Sequence, residues 1–149
     1  ITLRTFSKVY GLAGFRVGYG FAHQDLITNL MKVKLPFDPS SCSQVAAIAA
    51  LDDLSHLENT ILLNRKEMRK LCDKLEKNKI RFISSIANFI TIVFNSRDEV
   101  INSSRFLLEN GIIVRDLIGF GLKNCIRVTI GTEHENQLFI KKIEEYINT

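Results

Sequence analysis

Apolar and polar residues along the chain fall into short strand-like runs and longer helical ones. "ITLRT" at the start and "VGYGFA" at 17–22 are compact, β-prone runs. They predict two short buried strands flanking a glycine-containing turn. "QDLITNLMKVK" then places Leu26, Leu30 and Val33 at helical spacing, which predicts a helix over 24–34. "LPFDPSS" carries both prolines of the chain, so it ends that helix and opens an irregular connection. Beyond it, Ser40 or Ser41 can cap a helix through "CSQVAAIAAL". Ser55 and Glu58 have the spacing of a capping box for a long amphipathic helix that fades near Asn78. "RFI" and "NFITIVF" predict strands. Ser96 and Glu99 predict another helix start, with Gly111 as its stop. "IIVRD" and "CIRVTI" are rich in β-branched residues and predict two more strands. Thr132 and Glu135 open a last helix, whose Leu138, Phe139, Ile143, Tyr146 and Ile147 form an apolar stripe suited to a core.

After the prolines the order is therefore helix, helix, strand, strand, helix, strand, strand, helix. That order predicts an α/β layer with helices packed on a mixed sheet. The proline segment is also the expected domain boundary, with residues 1–35 in one piece and 36–149 in another.

Composition narrows the function classes. At 149 residues, 46% hydrophobic and 24% charged, the chain can build one sizeable core. No apolar run reaches the length of a membrane span, and the start does not resemble a signal peptide. The net charge of +4 comes from basic residues interleaved with acidic ones, as in "NRKEMRKLCDKLEKNK". This is the pattern of a solvated helix face, and it argues against a nucleic-acid surface. Cys42, Cys72 and Cys125 are far apart and lack metal-ligand or disulfide spacing, as do His23, His56 and His134. The cysteines are expected to be buried or incidental thiols of a protein in a reducing, cytoplasmic compartment, and no metal site is expected.

The densest chemistry lies in "LRTFSKVYGLAGFRVGYG", residues 3–20. A lysine used covalently must be neutral to attack a carbonyl. Arg16 offers a planar fork for phosphate, glycines let backbone N–H groups approach an anion, and Thr5 and Ser7 add hydroxyl donors. A reactive lysine beside a phosphate cradle suits a phosphorylated aldehyde such as pyridoxal phosphate. The plain alternative stands beside it: an ordinary turn, a surface lysine at Lys8 and a surface ion pair at Arg16. The stretch matches neither the nucleotide-binding G-x-x-x-x-G-K-[ST] pattern nor G-x-G-x-x-G.

"RTFSKVYGLAGFRVGYG" resembles the cofactor-lysine segment of the aspartate aminotransferase superfamily, the fold type I enzymes dependent on pyridoxal phosphate. "ANFITIVF", "LLENGIIVRD" and "LKNCIRVTIGTEHENQLFI" are similar to small-domain strands and the final helix of its histidinol-phosphate aminotransferase branch, in the same order. The resemblance implies the last strands of a large cofactor domain followed by a small C-terminal α/β domain. It also implies roles. Lys8 forms the aldimine with the cofactor and later carries a proton between substrate and cofactor carbons. Arg16 grips the cofactor phosphate with Ser7 and Thr5. Arg127 holds the anionic end of the substrate, Arg115 is a second substrate-anion arginine, and Asn88 lies at the active-site rim. The implied reaction moves an amino group between histidinol phosphate and 2-oxoglutarate, in a homodimer, within histidine biosynthesis.

Alternatives remain at this point. An arginine within "CIRVTI" needs a partner, because an unpaired buried guanidinium is costly. Either a ligand or a structural carboxylate supplies it, and Asp116 is the nearest carboxylate in sequence to Arg115. Asn88 can instead simply cap or end a strand, and Tyr10 and Tyr19 are expected to pack. The family's aspartate, tyrosine and stacking ring for the cofactor all precede its lysine. The chain is accordingly expected to be a C-terminal fragment, inactive when isolated, of an enzyme roughly twice as long or more. An aromatic aminotransferase, a threonine-phosphate decarboxylase and a non-catalytic anion-binding or dimerisation module are the competing functions.

Overall fold

The computed structural model describes residues 1–148. The chain divides into two units, Ile1–Ile61 and Leu62 onward. The division falls inside a helix, and the expected boundary after residue 35 lies within the first unit.

In the first unit, β1 (Thr2–Thr5) and β2 (Gly18–Phe21) form an antiparallel ribbon in which Thr2 faces Phe21 and Thr5 faces Gly18. A Cβ on Gly18 would lie 2.7 Å from the Arg4 carbonyl oxygen, so the close approach of the strands requires glycine there. The helices are α1 (Gln24–Val33), α2 (Ser41–Asp52) and the start of α3 (Leu54–Lys77). Ser40, the first of the two expected caps, accepts the Ser43 N–H at 3.2 Å. The expected Ser55 capping box is displaced. Asp53, shared between the end of α2 and the start of α3, accepts the His56 N–H at 3.0 Å and the Ser55 hydroxyl at 2.9 Å. Those bonds, the backbone one foremost, lower the Asp53 carboxyl below its ordinary value.

The two strands were expected to be buried, and they are not. All their residues are exposed, with Leu3 at 67% and Phe21 at 65%. Leu26, Leu30 and Val33 of α1 are exposed as well. The buried core of this unit is only Phe6, Val17 and Ala47. An apolar pattern specifies which side chains favour burial, but a two-stranded ribbon supplies no second layer to bury them.

The second unit has a larger core. Its sheet runs β3–β4–β6–β5, from β3 (Phe82–Ile83), β4 (Phe89–Val93), β6 (Cys125–Thr129) and β5 (Arg115–Asp116). It was expected to be mixed, but every pairing is antiparallel. The reason is the position of β6. β4 and β5 point the same way and are joined through α4 (Arg97–Glu109), the connection that usually yields parallel neighbours. β6 inserts between them in the opposite direction, which gives a split β-α-β arrangement.

Alternate strand residues define the two faces. Ile90, Ile92, Ile126 and Val128 turn inward and join Leu71 and Leu75 of α3, Val100 and Leu107 of α4, and residues of α5 (Glu133–Ile147) in one core. Phe139 and Ile143 of the predicted stripe belong to that core, and Tyr146 packs against it. Helix ends follow local chemistry. Thr132 and Glu135 complete a capping box at α5. At α4, Ser96 accepts the Glu99 N–H, while the Glu99 carboxylate reaches one residue further back to the Asn95 N–H. Gly111, at φ 78°, stops α4: its N–H bonds the Leu108 carbonyl and the Ile112 N–H bonds that of Leu107. This is a Schellman ending, in which glycine takes the left-handed position. No helix among the described residues is long and apolar enough to cross a membrane.

Candidate active site

Four of the expected site residues lie on, or at the start of, the connection from β1 to β2. Phe6 anchors this segment, 3% exposed, with its N–H bonded to the Val17 carbonyl and its own carbonyl accepting the Leu12 N–H. Tyr10 and Tyr19 pack their rings against Phe6 at 4.9 and 5.4 Å, as expected of packing residues. Thr5 Oγ1 accepts the Ser7 N–H at 3.0 Å and so turns the chain toward Lys8. The Lys8 carbonyl accepts the Gly11 N–H at 2.9 Å, closing a tight turn with Gly11 at φ 70°. His56 Nε2 lies 3.1 Å from the Val9 carbonyl oxygen. The backbone is thus fixed on both sides of Lys8, while the side chain is exposed and makes no ion pair or hydrogen bond among the described residues.

Arg16 follows a short 3-10 turn and adopts the left-handed conformation, φ 52°, unusual for a side chain with a Cβ. Its guanidinium donates one bond, 2.8 Å, to the Ala13 carbonyl. No carboxylate pairs with it among the described residues, so the surface ion-pair alternative for Arg16 finds no support there. An exposed amine, a free Ser7 hydroxyl and a guanidinium with open N–H groups, held on one connection, fit a phosphorylated aldehyde chemically.

The second set lies on the sheet face turned away from the helices. Register places Thr91 opposite Arg127, and Arg127 opposite Arg115. Ile83 opposite Thr91 completes the row. Two guanidiniums in directly facing positions repel each other by about 1 kcal/mol. Neither forms a salt bridge or hydrogen bond among the described residues. Asp116, weighed as a structural partner for Arg115, instead accepts the Ile118 N–H at 3.3 Å. Adjacent strand residues point to opposite faces, which explains why sequence proximity fails here. The Phe89 ring lies under Arg127, with Cζ 5.3 Å from its centroid. Such a contact offsets about 0.5–1 kcal/mol but neutralises no charge. The face therefore carries two positive charges with no carboxylate paired to either among the described residues.

Asn88 is exposed and sits just before β4, where its carbonyl accepts the Ile130 N–H at 2.8 Å. It extends the β4–β6 ladder through its main chain. Asn64 of α3 donates to the Ala87 carbonyl at 3.2 Å and tethers the loop that leads into it. The sequence reading missed Phe89 and Thr91. The available signal was parity: both lie an even number of positions from each other and share the face that register assigns to Arg127.

The sequence model of class I and II aminotransferases matches residues 1–143, and the chain belongs to that family. A histidinol-phosphate aminotransferase from Campylobacter hominis is 44% identical over 99% of the chain, and one from Wolinella succinogenes 43% identical over 99%. The chain spans about 40% of the length of these curated relatives. Among solved structures, a histidinol-phosphate aminotransferase from Sinorhizobium meliloti in complex with pyridoxal-5'-phosphate superposes with a TM-score of 0.88 at 27% identity. That match covers 98% of this chain and 40% of the other. The expected fold type I architecture and superfamily are thereby borne out.

Proposed function

We propose that this chain supplies the cofactor lysine and the substrate-anion face of a histidinol-phosphate aminotransferase that uses pyridoxal phosphate and 2-oxoglutarate. The observation that carries the reading is the facing pair Arg115 and Arg127, two guanidiniums with no carboxylate paired to them among the described residues. A phosphate or carboxylate group settles such a pair, and both substrates bring one. The identity to relatives of that name supports the choice of substrate.

Pyridoxal phosphate, when bound, supplies an aldehyde that carries the amino group and withdraws electrons from the substrate carbon. The chain's own residues do the rest. Nζ of Lys8 would hold the aldehyde covalently and, as a free amine, would take and return a proton at the substrate carbon. Arg16 binds the cofactor phosphate through its remaining N–H groups, with the hydroxyls of Ser7 and Thr5 as further donors. Arg127, steadied by Phe89, and Arg115 bind and orient the substrate's anionic end, and Asn88 lines the rim. Under this reading the enzyme is a cytoplasmic homodimer, and the activity belongs to the polypeptide carrying this chain at the relatives' full length.

The test is a transamination assay on that polypeptide. Wild type is expected to consume histidinol phosphate with 2-oxoglutarate. Arg127→Gln should raise KM for histidinol phosphate about 100-fold, the usual scale for losing one partner of a desolvated charge pair. Its melting temperature should not fall, since like-charge repulsion with Arg115 is relieved. Undiminished affinity in Arg127→Gln would remove the basis of the reading.

A further inference from the structure

Thr91 is the one hydroxyl in the row Ile83–Thr91–Arg127–Arg115, and it is 8% exposed. Its hydroxyl makes no hydrogen bond among the described residues and is not one of the enclosed polar atoms left without a partner, so it is open to a ligand. It also lines an open pocket on the same face with Ile83, Ser84, Ser85, Ile86 and Phe89. Directly facing residues of antiparallel strands hold their Cβ atoms about 5 Å apart, so register sets Thr91 beside Arg127 on this face, and Phe89, which carries the Arg127 guanidinium, lines the same pocket as Thr91.

We propose that Thr91 is a further ligand-binding residue, donating its hydroxyl proton to the same anion that Arg127 and Arg115 hold. The inference rests on the assignment of those arginines to the substrate anion. It adds a basis for specificity. Two guanidiniums and one hydroxyl make three donor groups along one row. A phosphate monoester presents three terminal oxygens, a carboxylate two. The third donor therefore favours a tetrahedral phosphate over a planar carboxylate. Thr91 also fits a steric argument: a β-branched residue suits the strand, but valine would have suited it equally, and only threonine brings a donor.

The test uses the full-length holoenzyme, its cofactor phosphate cradle already filled, and compares Thr91→Val, Thr91→Ser and Arg127→Gln. Binding of inorganic phosphate and of glutarate is measured by calorimetry, with KM for histidinol phosphate and 2-oxoglutarate alongside. Loss of a hydrogen bond to a charged group predicts about a tenfold or greater weakening of phosphate binding in Thr91→Val, with a matching rise in KM for histidinol phosphate. Glutarate binding and KM for 2-oxoglutarate should change less than about threefold, and Thr91→Ser should restore phosphate binding. A purely structural role would instead weaken both ligands together and lower the melting temperature. Equal losses for both ligands, no loss at all, or failure of serine to rescue would each overturn the inference. The arginine arm separates the two claims. If Arg127→Gln abolishes phosphate binding while Thr91→Val leaves it intact, only the role of Thr91 fails. If Arg127→Gln binds phosphate normally, the anion site itself is misassigned and Thr91 falls with it.

Discussion

The two units carry their candidate chemistry on unlike supports. In the first, Lys8 and Arg16 sit on a twelve-residue connection, 6–17, held by three buried apolar residues. In the second, Arg115, Arg127 and Thr91 project from strands backed by thirteen. A lysine that must bond a cofactor, release it and move a proton benefits from a support fixed at its backbone and free at its tip. Arginines that only bind benefit from a sheet that fixes their spacing. The contrast also explains the apolar exposure. Ile1, Leu3, Phe21 and Met31 are all more than 60% exposed in the first unit, whereas the inward strand residues of the second are nearly fully buried.

The contrast can be broken most sharply at the cores. Leu75→Ala removes a side chain with no exposure, and should cost the second unit about 2–5 kcal/mol in a denaturant titration. Phe6→Ala should leave the main unfolding transition of that unit in place while loosening the Lys8 connection, visible as faster amide exchange around residues 6–17. Equal loss of the main transition in both variants would mean that the two units do not differ in this way.

A smaller effect tests the frame behind the arginines. Thr132→Ala should cost about 1 kcal/mol through the α5 capping box, which follows β6 directly. Glu135 sharpens the same point through pH. Its carboxyl is lowered by the backbone bond to Thr132 and then by the side-chain bond. A depressed folded value means that its contribution is full above the ordinary carboxylate range and is lost as pH falls through the lowered value. Glu135→Gln should flatten that acid limb of the stability profile, and an unchanged limb would show that the box is not formed in solution.

Helix starts were the most legible part of the chain, because a cap is local chemistry. Thr132 with Glu135, and Ser96 with the Glu99 N–H, behave as their spacing predicts. Ser55 fails because Asp53, two residues earlier, is an equally good acceptor and already ends α2. Strand positions were legible too, but strand order was not. Nothing in "IIVRD" or "CIRVTI" states that β6 lies between β4 and β5, and that insertion makes the sheet antiparallel and brings Arg115 opposite Arg127. The individual arginines stood out as charges in apolar runs. Thr91 did not, because within "FITIV" a threonine is indistinguishable from an ordinary sheet former until register places it beside a charge.

Covalent capture at Lys8 tests the central claim most directly. The full-length polypeptide is incubated with pyridoxal phosphate, reduced with borohydride and digested, and the modified peptide is mapped. Stoichiometric labelling confined to Lys8, lost in Lys8→Ala together with at least about 10³-fold of the transamination rate, is the predicted result. Labelling scattered over the surface lysines, or confined to a different one, would contradict it.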